Sequence, residues 1–283
     1  MTSNEAIIEY YERCEVHYKM HWNLDESLAL HYGYWDETTK SFHEALMNTN
    51  KKLASIAEVQ THDRLLDMGC GIGGSSIYLA KETGCECVGI SLSEKQIQTA
   101  TRMAHEFGVA DECTFLVRDF TDTNFKDQSF DVVWAVESVC HANQKEKFIE
   151  EAWRLLKPGG RLILADFLQT KEDLNAREQY IMDNWALGWA VPFFETESQF
   201  KNLLKAQGFG IDYYENATDH IQRSARRLYL RFFPGWVGAK LYRLFNPGSS
   251  VISMENVWTA YYQYKGLQKG LWEYGIILAT KNI

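Results

Sequence analysis

Two kinds of segment alternate between residue 64 and about residue 166 of the chain. Short and nearly continuous apolar runs, of which Phe130–Val136 is the clearest, predict strands that are buried on both faces of a sheet. Between them lie longer helix-forming stretches. One of these, Glu94–Phe107, follows Ser93 and has Gln96 at its third position, a capping-box pattern that marks a helix start. This alternation predicts an α/β fold with a parallel, doubly wound sheet.

The boundaries of these elements follow from the same patterns and from turn-forming residues. Strands are predicted at 64–68, 85–90, 114–118, 130–136 and 161–166, and helices at 75–83, 94–107 and 145–156. After the last of these helices, Lys157-Pro158-Gly159-Gly160 predicts a turn.

The two flanks of this region have a different composition. Residues 1–60 look mainly helical and are rich in Tyr and Trp, so they predict a helical N-terminal segment beside a main domain of residues 61–283. Beyond residue 166 we expect helices at 180–189 and 197–207, a strand near 209–214, an insert at about 219–250, a helix to about 269 and an antiparallel strand at 272–280.

A carboxylate and a run of glycines follow the first predicted strand. They are Asp67, Gly69, Gly71, Gly73 and Gly74, with a helix directly after them. Glycine permits a tight turn and a close approach of a ligand to the backbone, and the helix directs free N–H groups to the same place. The loop therefore predicts a nucleotide-type pocket.

The spacing of this loop fits two motifs. Gly69, Gly71 and Gly74 fit the dinucleotide pattern G-x-G-x-x-G, whereas Asp67 with the first three glycines fits D-x-G-x-G-x-G, which is typical of S-adenosylmethionine (SAM) sites. A dinucleotide site needs an acid at the end of the second strand, where this chain has Ser91. Asp67 would repel a diphosphate but can hold the ammonium group of SAM. Both details favour SAM over an NAD(P)-dependent oxidoreductase, and a glycine turn without a ligand is the third interpretation.

Composition limits the class of protein and its surroundings. The net charge of −9 disfavours a nucleic-acid partner, and no apolar run reaches the roughly 18 residues of a membrane span. The six cysteines form no C-x-x-C pair, so no metal site is expected and reduced thiols in a cytoplasmic protein are the simplest account.

These segments together resemble class I SAM-dependent methyltransferases, and among them the small-molecule branch of tocopherol, sterol and other isoprenoid methyltransferases. The resemblance covers most of the chain. It is carried by residues 67–76, 89–93 with Gln96, 118–119, 130–141 and 156–160, and by His31-Tyr32-Gly33-Tyr34-Trp35, which is similar to an element that covers the cofactor. It implies a Rossmann-like, mostly parallel seven-stranded sheet with helices on both faces, a helical N-terminal cover and a helical insert.

The resemblance also implies roles for the residues around the cofactor. The loop from Asp67 to Gly73 would hold the methionine part of SAM. Ser91 stands where many class I enzymes have a ribose-binding acid, and Gln96 is similar to residues that take over this contact. Asp119 would accept a hydrogen bond from the adenine amino group, and Phe120 would pack beside the adenine ring. The alternative for Asp119 is an ordinary acid in a turn.

Glu137, directly after the fourth predicted strand, is the main catalytic candidate. In C-methylating relatives a glutamate here removes a proton or stabilises a cation, and in O-methylating relatives it could bind or deprotonate a hydroxyl group. His141, four residues on, could share the site. The alternatives are that Glu137 orients local backbone and that His141 is structural.

Aromatic residues on the flanks are candidate walls for the acceptor. They are Tyr11, Tyr18, Trp22 and Trp185. Packing in the core is the equally open interpretation of each.

The insert contains a basic and aromatic stretch from Arg223 to Phe245 that has no acidic residue. It could contact a membrane surface, bind a phosphate on the acceptor, or form a solvated helix face over an aromatic core side.

Together these features predict methyl transfer from SAM to a small, largely apolar, isoprenoid-like acceptor. Carbon is favoured slightly as the methylated atom, then oxygen, then nitrogen of an amine. A homo-oligomer is compatible with the sequence. The alternatives from other classes are an oxidoreductase and a SAM-fold protein without catalysis.

Overall fold

Seven strands form one sheet in the order β3-β2-β1-β4-β5-β7-β6. The computed structural model describes residues 4–5, 7–8, 28–230 and 252–282, the side chains of 252–257 excepted. The strands are β1 (Arg64–Met68), β2 (Glu86–Ser91), β3 (Cys113–Val117), β4 (Phe130–Val136), β5 (Leu156–Gln169), β6 (Phe209–Asn216) and β7 (Trp272–Lys281).

Helices cover both faces of this sheet. They are α1 (Phe42–Ile56), α2 (Gly74–Thr83), α3 (Glu94–Phe107), α4 (Lys145–Leu155), α5 (Ala176–Gly188), α6 (Glu197–Gln207), α7 (218–230) and α8 (Ile252–Gln268). The first turn of α3 is capped by Ser93, whose hydroxyl accepts the Gln96 N–H, and α5 and α6 each begin with a complete capping box.

The alternation of side chains along β4 shows why its sequence is apolar throughout. Val132 and Trp134 lie in one buried cluster, on the face that carries α1, α2, α3 and α5. Val133 and Ala135 lie in a second cluster, with side chains of α4 and α6. A parallel strand between two helical layers has no solvent face, which confirms the prediction of a sheet buried on both sides.

The direction of the connections reverses between β1 and β4. β1 pairs in parallel with both β2 and β4, so the chain winds outward from this point in both directions. Ligands of such sheets bind beyond the carboxyl ends of the strands at the point of reversal. Asp67 and Glu137, at the ends of β1 and β4, therefore lie at the expected site.

The turn predicted at Lys157–Gly160 is wrong. These residues belong to β5, whose pairing with β4 jumps from Phe130↔Leu156 to Val132↔Arg161. The four residues between these pairs bulge out of the ladder. A bulge accommodates both Pro158, which has no N–H to donate, and Gly159, which has a φ of +75°.

The flanks agree with the predictions in part. The last strand is antiparallel to both β5 and β6, as expected. Residues 28–41 are not helical, so within the described N-terminal part long helical structure begins only at Phe42. The insert is helical over 218–230, and its residues 231–250 lie outside the described residues. The division at residue 60 stays a prediction. In the described ranges no helix is long and apolar enough to cross a bilayer.

We expect the second buried cluster to carry a large share of the stability. Leu204 of α6 is fully buried in it, so Leu204→Ala should lower the free energy of unfolding by about 2–5 kcal/mol, through lost burial and a residual cavity. Leu187→Ala on α5 is the control, because Leu187 is 82% exposed, and should change it by less than about 0.5 kcal/mol. Urea denaturation of both variants measures the difference, and equal losses would contradict this assignment of the core.

Candidate active site

A cavity of about 270 Å³ opens at the carboxyl ends of the first four strands. Its wall is formed by the loops that follow β1, β2, β3 and β4, and by residues 28–31 of the N-terminal part. Asn4, Ile7 and Ile8 also line it. Of the predicted site residues, the cavity is lined by Asp67, Gly69, Gly71, Ser91, Gln96, Asp119, Phe120, Glu137 and His141.

The glycine loop is fixed by backbone hydrogen bonds and by close packing. The N–H groups of Gly69 and Cys70 both donate to the carbonyl of Ile90, at 3.0 and 2.9 Å. Gly69 has a φ of +107°, and a Cβ there would lie 2.4 Å from the Cβ of Ser138. Ser138 in turn donates to the carbonyl of Met68 at 2.7 Å. The loops after β1 and β4 are therefore locked together, and only glycine fits at Gly69.

Gly73 has a different surrounding from the one its predicted role requires. It lies outside the part of the loop that lines the cavity, and a Cβ there would meet the ring of Phe115 at 2.8 Å. Its neighbour Gly74 lines the cavity but also lies so close to the carbonyl of Leu28 that a Cβ would be 2.2 Å from it. Part of the glycine motif thus serves packing against β3 and against residues 28–31.

Asp67 is a buried carboxylate at the base of the loop. It is 3% exposed, and its Oδ2 accepts a hydrogen bond from the Ser76 hydroxyl at 2.8 Å. No Lys, Arg or His in the described ranges forms an ion pair with it. Burial raises its pKa to about 7. A cationic group in the cavity would compensate this carboxylate, so the residue fits the ammonium of SAM.

Ser91 and Gln96 form one polar unit at the end of β2. The Ser91 hydroxyl donates to Gln96 Oε1 at 2.6 Å and accepts from the N–H of Ser93 at 3.2 Å. The side chain of Gln96 is therefore held beside Ser91, the residue at the position where many class I enzymes have an acid. This arrangement agrees with the expected replacement of a ribose-binding acid by Gln96, although the contact itself stays a prediction.

Asp119 and Phe120 lie at the end of the cavity beyond β3. Asp119 Oδ1 accepts from the N–H and the hydroxyl of Thr121, at 2.8 and 2.7 Å, which is the local turn of the structural interpretation. Its Oδ2 accepts from the side-chain amide of Asn4 at 2.7 Å. Phe120 packs edge-on against Phe148, with ring centroids 5.5 Å apart. One carboxylate oxygen of Asp119 thus stabilises the local turn, and the other binds Asn4, a residue of the cavity wall.

Glu137 lies at the end of β4 with a left-handed backbone, at a φ of +50°. Its Oε1 accepts from the backbone N–H of Tyr32 at 2.7 Å and from the hydroxyl of Tyr274 at 2.9 Å. Its own N–H donates to the carbonyl of Ala165 at 2.8 Å. A strained conformation that three segments hold in place is typical of a functional position.

The electrostatic environment of Glu137 favours its neutral form in the protein without a ligand. Burial raises its pKa to about 8, and the nearby carboxylate of Asp166 adds to this effect. Asp166 is itself 4% exposed and accepts the N–H groups of Cys140 and Phe167. A positive charge in the cavity would reverse the balance and favour the carboxylate of Glu137.

His141 lies in a single 3-10 turn, Val139–His141, and lines the same cavity as Glu137. Its Nδ1 is 3.4 Å from the carbonyl oxygen of Ala190. Burial lowers its pKa to about 4, so the ring is neutral near pH 7. The two side chains share a wall, as expected, though they do not lie on one helix.

Trp185 is not among the described residues that line the cavity. It is fully buried, with its ring 4.4 Å from that of Phe194 and 4.8 Å from that of Trp272. The surroundings are those of a core residue, and a substrate role for Trp185 stays an untested prediction. Tyr11, Tyr18 and Trp22 lie outside the described residues.

The described part of the basic stretch packs on aromatic rings of the chain. The guanidinium of Arg223 lies 4.2 Å from the ring centre of Trp35, and that of Arg227 lies 4.5 Å from that of Phe42. These contacts favour the interpretation as a helix face with an aromatic core side for residues 223–230.

Three residues of the site were not singled out in the sequence. They are His31, which lines the cavity, and Tyr32 and Tyr274, which bind Glu137. The first two lie in the motif His31–Trp35, which was noticed only as a cover. Tyr274 had no local signal, because its approach to Glu137 depends on the position of β7 beside β5.

Known methyltransferases are similar to this chain in sequence. A family model described as a methyltransferase domain matches residues 66–164. The 27-O-demethylrifamycin SV methyltransferase of Amycolatopsis mediterranei is 42% identical over 139 residues, which are 49% of this chain and 51% of that protein. The chloroplastic tocopherol O-methyltransferase of Arabidopsis thaliana is 29% identical over 90% of this chain and 76% of its own. A 2-methyl-6-phytyl-1,4-hydroquinone methyltransferase of Synechocystis is 33% identical over 73% of this chain and 62% of its own. The chain thus spans about half of the first relative and more of the others.

Solved structures share the fold over nearly the whole chain. The [4+2]-cyclase SpnF has a TM-score of 0.82 at 21% identity, covering 99% of this chain and 97% of its own. A geranyl diphosphate methyltransferase in complex with geranyl diphosphate and sinefungin has a TM-score of 0.77 at 17% identity, covering 98% of both chains. Residues 66–164 therefore match the methyltransferase domain family, and the chain has a Rossmann-like methyltransferase fold with a seven-stranded, mostly parallel sheet.

Proposed function

We propose that this protein transfers a methyl group from SAM to a small, lipophilic acceptor that binds beside Glu137. The observation that carries this proposal is the orientation of the Glu137 carboxylate. Tyr32 and Tyr274 both donate to Oε1, while Oε2 forms no hydrogen bond with the described residues. Because Glu137 lines the cavity, this second oxygen is available to a ligand.

The polar groups of the cavity lie at three positions that suit the ammonium, ribose and adenine parts of SAM. Asp67 would bind the ammonium group, and Ser91 with Gln96 would bind the ribose. At the far end Asp119 Oδ2 would bind the adenine amino group beside Phe120. Asn4 already donates one hydrogen bond to that oxygen, whose second lone pair would accept the hydrogen bond of the adenine amino group.

The chemistry asked of the protein is mainly alignment and exclusion of water. When bound, SAM supplies a methyl group that its sulfonium already activates, so the protein contributes by placing the acceptor in line with it. Glu137 would hold the acceptor and, as a carboxylate, stabilise positive charge on it or accept its proton. The neutral His141 beside it can serve as a hydrogen-bond partner for a polar group of the acceptor.

The class of acceptor is inferred from the relatives and from the apolar parts of the wall. The relatives carry names of tocopherol and phytyl-hydroquinone methyltransferases, and one similar structure holds geranyl diphosphate. An isoprenoid-type acceptor is therefore our first choice, with carbon ahead of oxygen and nitrogen as the methylated atom. Contact of residues 223–245 with a membrane, a homo-oligomer and a cytoplasmic location stay predictions.

The proposed activity is tested by incubation of the protein with methyl-labelled SAM and panels of prenyl diphosphates, phenolic lipids, sterols and amines. We expect label in a product from one of the isoprenoid or phenolic classes. Thermal stabilisation by NAD(P)H together with none by SAM would instead support the oxidoreductase alternative.

Glu137→Gln should lower turnover by about 10²–10⁴-fold, because the amide can neither accept a proton nor carry a negative charge. The affinity for SAM, measured by calorimetry, should change little, since Asp67 lies in a different loop. Glu86→Gln is the control, because Glu86 is an exposed residue of β2 that pairs with Arg64. Full activity of Glu137→Gln with every acceptor would contradict the role of Glu137.

Binding of SAM should become tighter as the pH rises through about 7. The pKa of Asp67 is raised to about 7, so the carboxyl is neutral in acid and attracts the ammonium only after it loses its proton. Asp67→Asn should weaken binding by about 10–100-fold above this pH and make it less dependent on pH. Calorimetric titrations at about pH 6 and about pH 8 check the sign. Unchanged binding by the variant would show that the ammonium binds elsewhere.

A further inference from the structure

Residues 28–35, which we call the strap, connect Glu137 with helix α7 of the insert. The strap lines the cavity at Leu28, Leu30 and His31. At Tyr32 its backbone N–H donates to Glu137 Oε1 at 2.7 Å. The orientation of the Tyr32 N–H therefore decides whether Glu137 keeps this hydrogen bond.

Ser224 of α7 fastens the strap at the next residue. Its side chain is 1% exposed. Its hydroxyl accepts the N–H of Gly33 at 3.1 Å and the indole N–H of Trp35 at 3.0 Å, and lies 3.1 Å from the carbonyl oxygen of Gly33, to which it donates. A hydroxyl has one hydrogen and two lone pairs, so these three contacts use its full capacity.

The peptide between Tyr32 and Gly33 is held at both of its polar groups. Ser224 accepts the N–H of Gly33, while the hydroxyl of Thr49 in α1 donates to the carbonyl of Tyr32 at 2.9 Å. There is no slack at Gly33, because a Cβ there would lie 2.7 Å from the Cβ of Ala45. Since a peptide group is planar, holding its two polar groups fixes the positions of the Cα atoms of Tyr32 and Gly33, and the Tyr32 N–H is attached directly to the first of these atoms.

A second tie joins Tyr32 with the same helix. Its hydroxyl donates to Gln263 Oε1 at 3.0 Å, and Gln263 Nε2 donates to the carbonyl of Ala225 at 3.0 Å. Gln263 is fully buried. Helix α7 thus holds the side chain of Tyr32 through Gln263, and it holds the backbone N–H of Gly33 directly through Ser224.

We propose that Ser224 is a positioning residue for Glu137, acting through the peptide of Tyr32 and Gly33. Ser224 does not touch the cavity, so it acts only by holding the strap in the place where the Tyr32 N–H meets the carboxylate. The catalytic consequence rests on the proposed role of Glu137, whereas the mechanical link does not. The geometry of the site therefore depends on helix α7 of the insert as well as on the sheet.

The consequence can be measured on Glu137 itself. The groups that interact with it are the hydroxyl of Tyr274 from β7, the carboxylate of Asp166 from β5, the thiol of Cys140 after β4 and the Tyr32 N–H of the strap, while His31 and His141 line the same cavity. The N–H and the hydroxyl stabilise its charged form, while burial and Asp166 oppose it. Loss of the N–H should therefore raise the pKa of Glu137 further.

The test is a titration of the Glu137 carboxyl carbon by ¹³C NMR in the full chain without cofactor or acceptor, with Glu137→Gln to assign the signal. In Ser224→Ala we expect the titration midpoint to move upward by about one pH unit, the size expected from loss of a hydrogen bond to a charged group. Ser224→Cys, which keeps a weaker hydrogen-bonding group, should move it less in the same direction and carries the test if the alanine variant does not fold.

Thr123→Ala is the matched control. Thr123 is also a fully buried hydroxyl, but it donates to Glu151 and lies outside the strap and the cavity wall. It should lose stability without moving the Glu137 midpoint. If Ser224→Ala lost stability and left the midpoint unchanged, the positioning role would be overturned. Because no methyl transfer is measured, this result is independent of whether Glu137 proves to be catalytic.

Discussion

The cost of burying Glu137 constrains the arrangement of the parts around it. A buried carboxyl must be hydrogen-bonded, and this one receives its two donors from segments far apart in sequence, the strap at Tyr32 and strand β7 at Tyr274. The left-handed backbone at Glu137 is held by the carbonyl of Ala165 on β5. The sheet, the strap and the insert must therefore all be in place before the carboxylate can face the cavity.

The sequence was most informative where local pattern and position in the sheet coincide. Strands β1 to β4 lie within one residue of their predicted boundaries. Strand β4 is buried on both faces and reads as an almost unbroken apolar run, whereas the edge strand β3 alternates between buried and exposed residues. The carboxyl ends of parallel strands meet at one edge, which predicts a shared crevice for Asp67, Ser91, Asp119, Glu137 and Asp166. The first four line the cavity, whereas Asp166 does not and instead accepts the N–H groups of Cys140 and Phe167. Ser91, which stands where many class I enzymes have an acid, donates to Gln96, and the ribose contact expected of Gln96 stays a prediction.

The sequence was least informative where pairing or tertiary contact decides. Pro158 and Gly159 suit a turn and a bulge equally well. Only the register of β5 against β4 shows that they form a bulge. The backbone groups of the strap find partners in α1 and α7, so its aromatic-rich sequence does not become a helix. An aromatic side chain such as Trp185 suits a core or a cavity wall, and sequence alone does not separate the two; in the fold its ring is fully buried beside Phe194 and Trp272. The fold itself does not settle the reaction, because a [4+2]-cyclase shares it.

We propose that one cavity binds SAM, with the ammonium end of SAM at Asp67, the adenine end at Asp119 and the sulfonium beside Glu137. The most direct measurement is a crystal structure of the protein with S-adenosylhomocysteine, the product form of the cofactor. We expect the ammonium group next to Asp67, the adenine amino group next to Asp119 Oδ2, and the sulfur atom facing the space in front of Glu137 Oε2. A ligand bound outside this cavity, or one whose sulfur is separated from Glu137 by protein, would contradict it.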